Sequence, residues 1–340
     1  MSAFLKGLAK FFQSLLELLK LLPTLITELG SFLKSLWRAL RHCFHRPSRD
    51  KCCYDLPGVY KRPDPMIYSQ YWLMKQGLAV SWDNPDIQLY DTTGNPASPS
   101  DLNPDQDYKV VVRCWNNSYG AGVPNLPVYL SYLSFGVGVT STPIPPPNST
   151  TLGVKGSATC PAFVSYIWHT PSMPGHYCLQ AQLVCADDAN PDNNLGQKNV
   201  HVGKLASPAM FGFAVQNQAS VRRRFQLEAD MYQLPALASC VDEPAPPREG
   251  GRLAESQARW KRALRTQGYG MFPVTAAWKV VMSVSEFELG PQETRQINIS
   301  ITPAGGVFTG LQPFNIHGFA TPPNGTRTLA GGVTLYVQGT

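Results

Sequence analysis

The sequence predicts a mainly β protein, with two β-sandwich modules preceded by an N-terminal amphipathic helical segment. Three observations point there. Charged residues make up only 15% of the 340-residue chain, while Pro (30) and Gly (28) are abundant, a balance that suits short strands and turns better than a helical enzyme. From about residue 78 onward, apolar and polar residues alternate over short stretches bounded by Pro, Gly, Asn and Asp, the period-two signal of half-buried strands. Ahead of them, the first 45 residues carry a seven-residue apolar repeat with nothing comparable downstream. The length allows a full core and more than one domain. The division expected is a helical segment (1–47), a basic, Cys-containing linker (48–77), a first sandwich (78–204) and a second (205–340) carrying an insertion at about 235–272.

Within the helical segment, Leu8, Leu15, Leu22, Leu29 and Leu36 occupy one heptad position, and Phe4, Phe11, Leu18, Leu25 and Phe32 a second. Beside them run Leu5, Phe12, Leu19, Ile26, Leu33 and Leu40, with Trp37 near the apolar side. Such a face must be buried in a membrane surface, in partner helices or against the rest of the chain. The strict repeat favours supercoiling with other helices, because an ideal helix drifts by about 20° per heptad. The third apolar row widens the face beyond a two-stranded seam. Lys6, Lys10, Lys20, Lys34, Arg38, Arg41, Arg46 and Arg49 supply basic contacts for anionic headgroups or an acidic partner, as in interfacial helices. Residues 1–51 hold nine Lys and Arg against three Asp and Glu, so the whole formal charge of +6 lies there. Pro23 removes a backbone donor and Gly30 weakens the helix, so two helices, roughly 3–22 and 24–45, are expected.

Lys10, Glu17 and Lys20 interrupt any continuous apolar stretch, which argues against a cleavable secretory signal and against a spanning helix. A location peripheral to a membrane, or cytoplasmic, is expected. His42, Cys43, His45, Cys52 and Cys53 follow the helix, but their spacing fits no standard zinc module, so no metal is assigned. They read as part of a basic linker, with the three cysteines candidates for acylation in a eukaryote.

The first module offers strands at Asp86–Tyr90, Tyr108–Cys114 with Tyr108, Val110, Val112 and Cys114 inward, and Val128–Leu133. A Pro-rich turn at Pro143–Pro147 follows, then strands Phe163–Trp168 and His176–Cys185 joined as a hairpin, and Asn199–Val202. The motifs Trp82 with Pro85–Ile87, Tyr108–Asn116, Pro171–Leu179 and Asp188–Val200 together resemble bacterial CARDB-type domains. The resemblance covers about residues 78–204 and implies a seven-stranded immunoglobulin-like sandwich of the kind used mostly for extracellular adhesion or presentation. Its motifs are turn and core signals and imply no chemistry. Residues 205–340 read as a second immunoglobulin-like module. Its strands are Phe211–Val215, Arg222–Leu227, Trp278–Val284, Thr294–Ile301, Phe314–Phe319 and Gly332–Val337. The insertion, Pro-rich and then basic with Trp260, reads as a solvated surface excursion.

Candidate chemical sites are few. The loop Asp187–Asn194 is rich in oxygen but lacks EF-hand spacing and reads as turn chemistry. Alternation places Cys178 outward and Cys185 inward, and the hairpin puts Cys160 roughly opposite Cys185. A Cys160–Cys185 or Cys114–Cys185 bond is conceivable, with free thiols the default. The six histidines are scattered, and no nucleophile-elbow, metalloprotease, P-loop or dinucleotide motif occurs. Sequons stand at Asn116, Asn148, Asn298 and Asn324. A non-enzymatic protein without cofactor is expected. Its helix would meet anionic lipid or copies of itself, its sandwiches an unidentified protein or glycan, and nucleic acid would not be a partner. A helix-driven oligomeric scaffold or filament, and a membrane-permeabilising effector, are the alternatives.

Overall fold

A computed structural model describes residues 62–134, 136–203, 209–235, 267–306 and 308–339. The helical segment, its apolar and basic faces, the five His and Cys residues after it and the body of the insertion lie outside the described residues. All the described residues fall within one compact unit.

The described chain opens with β1 (Pro65–Met66) and a short helix α1 (Gln70–Lys75) capped by the Ser69 hydroxyl, which accepts from the Trp72 amide. Residues 62–77, expected as linker, are therefore part of the folded body. The cause is Gln70, fully buried, whose side-chain amide donates to Ser81 O (3.1 Å) and Gln197 O (2.6 Å) and accepts from Gln197 N.

The first sandwich has two sheets. One contains β2 (Ile87–Tyr90), β3 (Asp107–Asn116) and β7 (Ala162–His169), with β1 beside the end of β3. The other runs in the order β6 (Ser141–Leu152), β4 (Val123–Ser134), β8 (Gly175–Leu183), β9 (Leu195–Val202). This strand order is that of an immunoglobulin-like sandwich in which β6 pairs with β4 in the second sheet and not with β7 in the first. Tyr108, Val110, Val112 and Cys114 point inward as alternation requires, meeting Leu130, Leu179 and Trp168 in one core.

Two expectations are corrected here. Pro143, Pro145, Pro146 and Pro147 lie inside β6, not in a turn. β6 is the edge of its sheet, where a missing N–H costs no ladder bond on the open side. β7 and β8 are not a hairpin, because β7 pairs with β3 while β8 pairs with β4 and β9. The loop between them crosses from one sheet to the other, so the register that would set Cys160 against Cys185 does not exist. Cys114, Cys160, Cys178 and Cys185 are free thiols.

The second sandwich packs β12 (Trp278–Met282), β14 (Thr294–Pro303) and β10 (Ala209–Gln216) against a sheet of β13 (Glu286–Leu289), β11 (Arg223–Asp230), β15 (Gly310–Thr321) and β16 (Thr328–Gly339). Phe213, Ile297 and Ile299 meet Phe225, Phe314 and Leu335 in its core.

The first sheet of this second sandwich is completed from outside. β5 (Gly136–Val137), a tongue between β4 and β6 of the first sandwich, runs parallel to β10 with Gly136 opposite Ala214 and Val137 opposite Val215. Val137 is fully buried in the second core. Gly136 permits this approach: a Cβ there would lie 2.3 Å from Ala214 O.

Candidate functional site between the two sandwiches

Strand alternation leaves one face of β8 and β9 outward from the first core, yet the burial along β9 is nearly continuous. Gln197, Lys198 and Asn199 are all buried. Gln197 is held by Gln70 and Gln180 and Lys198 by Asp83, while Asn199 is covered by Thr334 of the second module, whose β15 and β16 are likewise buried on both faces. Cys178, expected to face outward, is 3% exposed and packs with Leu133, Val139 and Ala214. Burial pushes its thiol, and that of Cys114, up to about 12, so neither is a ready nucleophile.

A polar network fills this seam. Trp82, fully buried, donates its backbone N–H to the Thr334 hydroxyl (2.8 Å) and its indole N–H to His317 Nδ1 (3.3 Å), while its carbonyl accepts from Asn199 N (2.7 Å). Thr334 N donates to Asn199 Oδ1 (2.6 Å), and the Thr334 hydroxyl donates to Asn315 Oδ1 (2.7 Å). Asp230 closes the network, accepting from Asn315 Nδ2 (2.7 Å) and Tyr232 N (3.0 Å) and pairing with His317 Nε2 (2.8 Å). Gly332 leaves room for the indole, since a Cβ there would lie 2.3 Å from Trp82 Nε1.

The Asp230–His317 pair has the spacing of an acid–base dyad. Its other ring nitrogen, however, faces an indole donor, and His317 has no exposed surface. With Trp82 donating to Nδ1, the ring proton sits on Nε2 and is given to Asp230. The nearby Thr334 hydroxyl is spent on Asn315. The arrangement holds two modules together and offers no reacting atom to a substrate.

Around this seam, the motif residues become structural hubs. Asp86 accepts from Tyr68 N (2.8 Å), Arg113 Nε (2.7 Å) and Trp115 Nε1 (3.0 Å), and Arg113 lies over the Trp115 ring. Asn116, 2% exposed, accepts from Asp64 N and Ser118 N and donates to Ala121 O and Gly153 O. Its amide is thus closed to glycosylation in the folded protein. In the Asp187–Asn194 loop, Arg62 pairs with Asp187, Lys75 with Asp192, and Asn194 with Asp188. Burial of Asp188 raises its carboxyl above the usual range. Among the described residues, no group of three or more His, Cys, Asp or Glu is placed to hold a metal ion.

Lys198 forms an ion pair with Asp83, whose other oxygen accepts from the Tyr336 hydroxyl (2.7 Å). Asp83 and Lys198 line a groove of about 530 Å³ that also takes in Gln88, Tyr90, Pro96, Arg113, Leu234 and Pro235. The chain enters the insertion from Pro235 and returns at Gln267, whose carbonyl accepts from Ala79 N (2.7 Å). Tyr269 N donates to Gly77 O (2.8 Å), and its ring packs against His317 and Phe319. The return leg therefore ties both modules together. Alternation could not have identified this site: the seam residues are polar or lie on faces it assigns to solvent. The run of polar residues in β9, Gln197 to Asn199, is the signal that reveals it.

Among the described residues, no helix is long and apolar enough to cross a membrane. No family model and no curated protein matches the chain. The CARDB-type resemblance therefore rests on its motif residues. Solved structures with similarity include native E. coli alpha-2-macroglobulin at 10% identity and a TM-score of 0.20, covering 72% of this chain and 16% of that one. Red sea bream transglutaminase has 10% identity and a TM-score of 0.20, covering 78% and 32%. The collagen adhesin CNA from S. aureus has 10% identity and a TM-score of 0.18, covering 75% and 93%. The chain thus spans about a sixth of the macroglobulin's length. At these similarities, the assignment of fold rests on the strand order described above.

Proposed function

We propose that this chain is a non-enzymatic binding and display protein, in which two immunoglobulin-like modules, the first of CARDB-type character, are carried on a membrane surface by the helical segment 1–47. The observation that carries this reading is the wide Phe/Leu face of residues 4–40, edged by Lys and Arg that hold the chain's entire net charge. Burial of that face supplies binding free energy, and its cations add attraction to anionic headgroups. The seam supports the display role: modules joined by buried hydrogen bonds present their loops in a fixed relation. The ligand of the sandwiches is a protein or glycan.

Flotation with anionic and neutral liposomes tests the anchor, comparing the intact protein with a form lacking residues 1–47. Intact protein alone should float, and more with anionic vesicles. If neither form floats, the strict heptad favours the second reading, a homo-oligomeric scaffold built through the same face, and sedimentation will find a defined oligomer lost with residues 1–47. Leakage of vesicle contents on binding would instead support a permeabilising effector.

A further inference from the structure

A second cluster at the seam carries a consequence that does not depend on membrane anchoring. His176 of β8 and His201 of β9 are cross-strand partners with ring centroids 4.3 Å apart, and the Phe211 ring of β10 meets His176 edge-on at 5.4 Å. They border a cavity of about 10 Å³ shared with Ser100, Asn199, Thr334 and Tyr336, so groups of both sandwiches surround them.

Among the described residues, the neighbouring charges do not favour a cation there. From β9, Lys198 lies on the opposite strand face from His201 and is bound to Asp83. From β16, Tyr336 is a phenol that burial, and then Asp83, keeps protonated, and its hydroxyl is given to Asp83. From β8, Cys178 is a neutral thiol. From β10, Phe211 is apolar, and no carboxylate lines the cavity among the described residues. Two imidazolium rings cannot share this space without separating from each other and from Phe211.

We propose that the His176–His201 pair makes the seam acid-sensitive, so that proton uptake in mildly acidic solution parts the faces of β9 and β16 while each sandwich stays folded. Burial first, and then His201, lowers the pKa of His176 from its ordinary 6.5 to about 3. The sign follows from linkage. Above about pH 6.5 neither the closed nor the parted seam holds the proton, so the closed seam keeps its full stability. Below that pH, the parted seam returns His176 to water and binds a proton that the closed seam refuses down to about pH 3. Over that window, the ratio of parted to closed seam should rise about tenfold per pH unit as pH falls.

Residue-resolved hydrogen exchange of the intact protein between pH 7.5 and 4.5, corrected for the intrinsic rate, reads this directly. The amides of Trp82 and Thr334 are the reporters, because their hydrogen bonds cross the seam. Their protection should fall about tenfold per unit below about pH 6.5, while Val110, Val112, Phe225 and Leu227 in the two cores keep theirs. In the double variant His176→Asn, His201→Asn, the reporters should lose this pH dependence. Flat protection at Trp82 and Thr334 in the unaltered protein would overturn the proposal. So would parallel loss at the core amides, which is ordinary acid unfolding. Both comparisons use the unaltered chain, so they decide the matter even if the variant fails to fold.

Discussion

Val137→Asp is expected to lower the free energy of unfolding by about 4 kcal/mol or more, measured by urea denaturation. Val137 has no exposed surface and sits in the core of a sandwich to which it does not belong by sequence. Its methyl groups pack over Gly318 and Gly331 of β15 and β16. A carboxylate at this point has no partner and removes the apolar contact that holds β5 against β10. Val137→Ala keeps the backbone pairing and should cost roughly 1–3 kcal/mol, the range for a truncated core side chain. A loss below about 1 kcal/mol for the Asp variant would show that the tongue contributes nothing to the second core.

Asp230→Ala is expected to cost about 3 kcal/mol or more, because it takes a charged acceptor from three buried donors and each group left unsatisfied costs roughly 1–3 kcal/mol. Asp230 is 5% exposed and serves three donors: the Tyr232 amide, the Asn315 side chain and the His317 ring. The Tyr232 amide and the His317 ring would be left buried without an acceptor, and the Asn315 amide would keep only the Tyr232 carbonyl (2.9 Å). Asp230→Asn keeps one acceptor oxygen and should cost less. Urea unfolding of both variants checks the order, and equal losses would mean that the charge on Asp230 adds nothing beyond its hydrogen bonds.

Much of the strand pattern was legible because its physics is local. Alternation in Tyr108–Cys114 located an inward face that the structure reproduces residue by residue. The Phe and Ile positions of β10 and β14 did the same for the second core. What was not legible depended on distant parts of the chain. The edge position of β6, which tolerates its prolines, follows from sheet order and not from the Pro run. β7 and β8 carry good hairpin signals around a Pro/Gly loop, but a sheet-crossing connection uses the same residues. β13 was missed altogether, because Glu286–Leu289 is short and half charged.

The seam was the least legible feature, and for a definite reason. Periodicity identifies which face of a strand is apolar, whereas this seam is sealed by Trp82, Asn199, His317 and Thr334 through matched hydrogen bonds. Cys178 was assigned to solvent because its neighbours Gln180 and Gln182 are polar. The second module covers that same face, so alternation gave the correct side of the sheet and the wrong environment. The tongue was hidden more deeply, since two residues between β4 and β6 form no recognisable strand until β10 lies beside them.

The Val137 tongue and the Trp82–His317–Asp230 network join the two sandwiches into one cooperative body. Scanning calorimetry of the intact protein at pH 7.5 tests it most directly. The structure predicts a single transition for the two sandwiches, with calorimetric and van't Hoff enthalpies in agreement, and two resolved transitions for Val137→Asp. Two transitions in the unaltered protein, one for each sandwich, would contradict the claim.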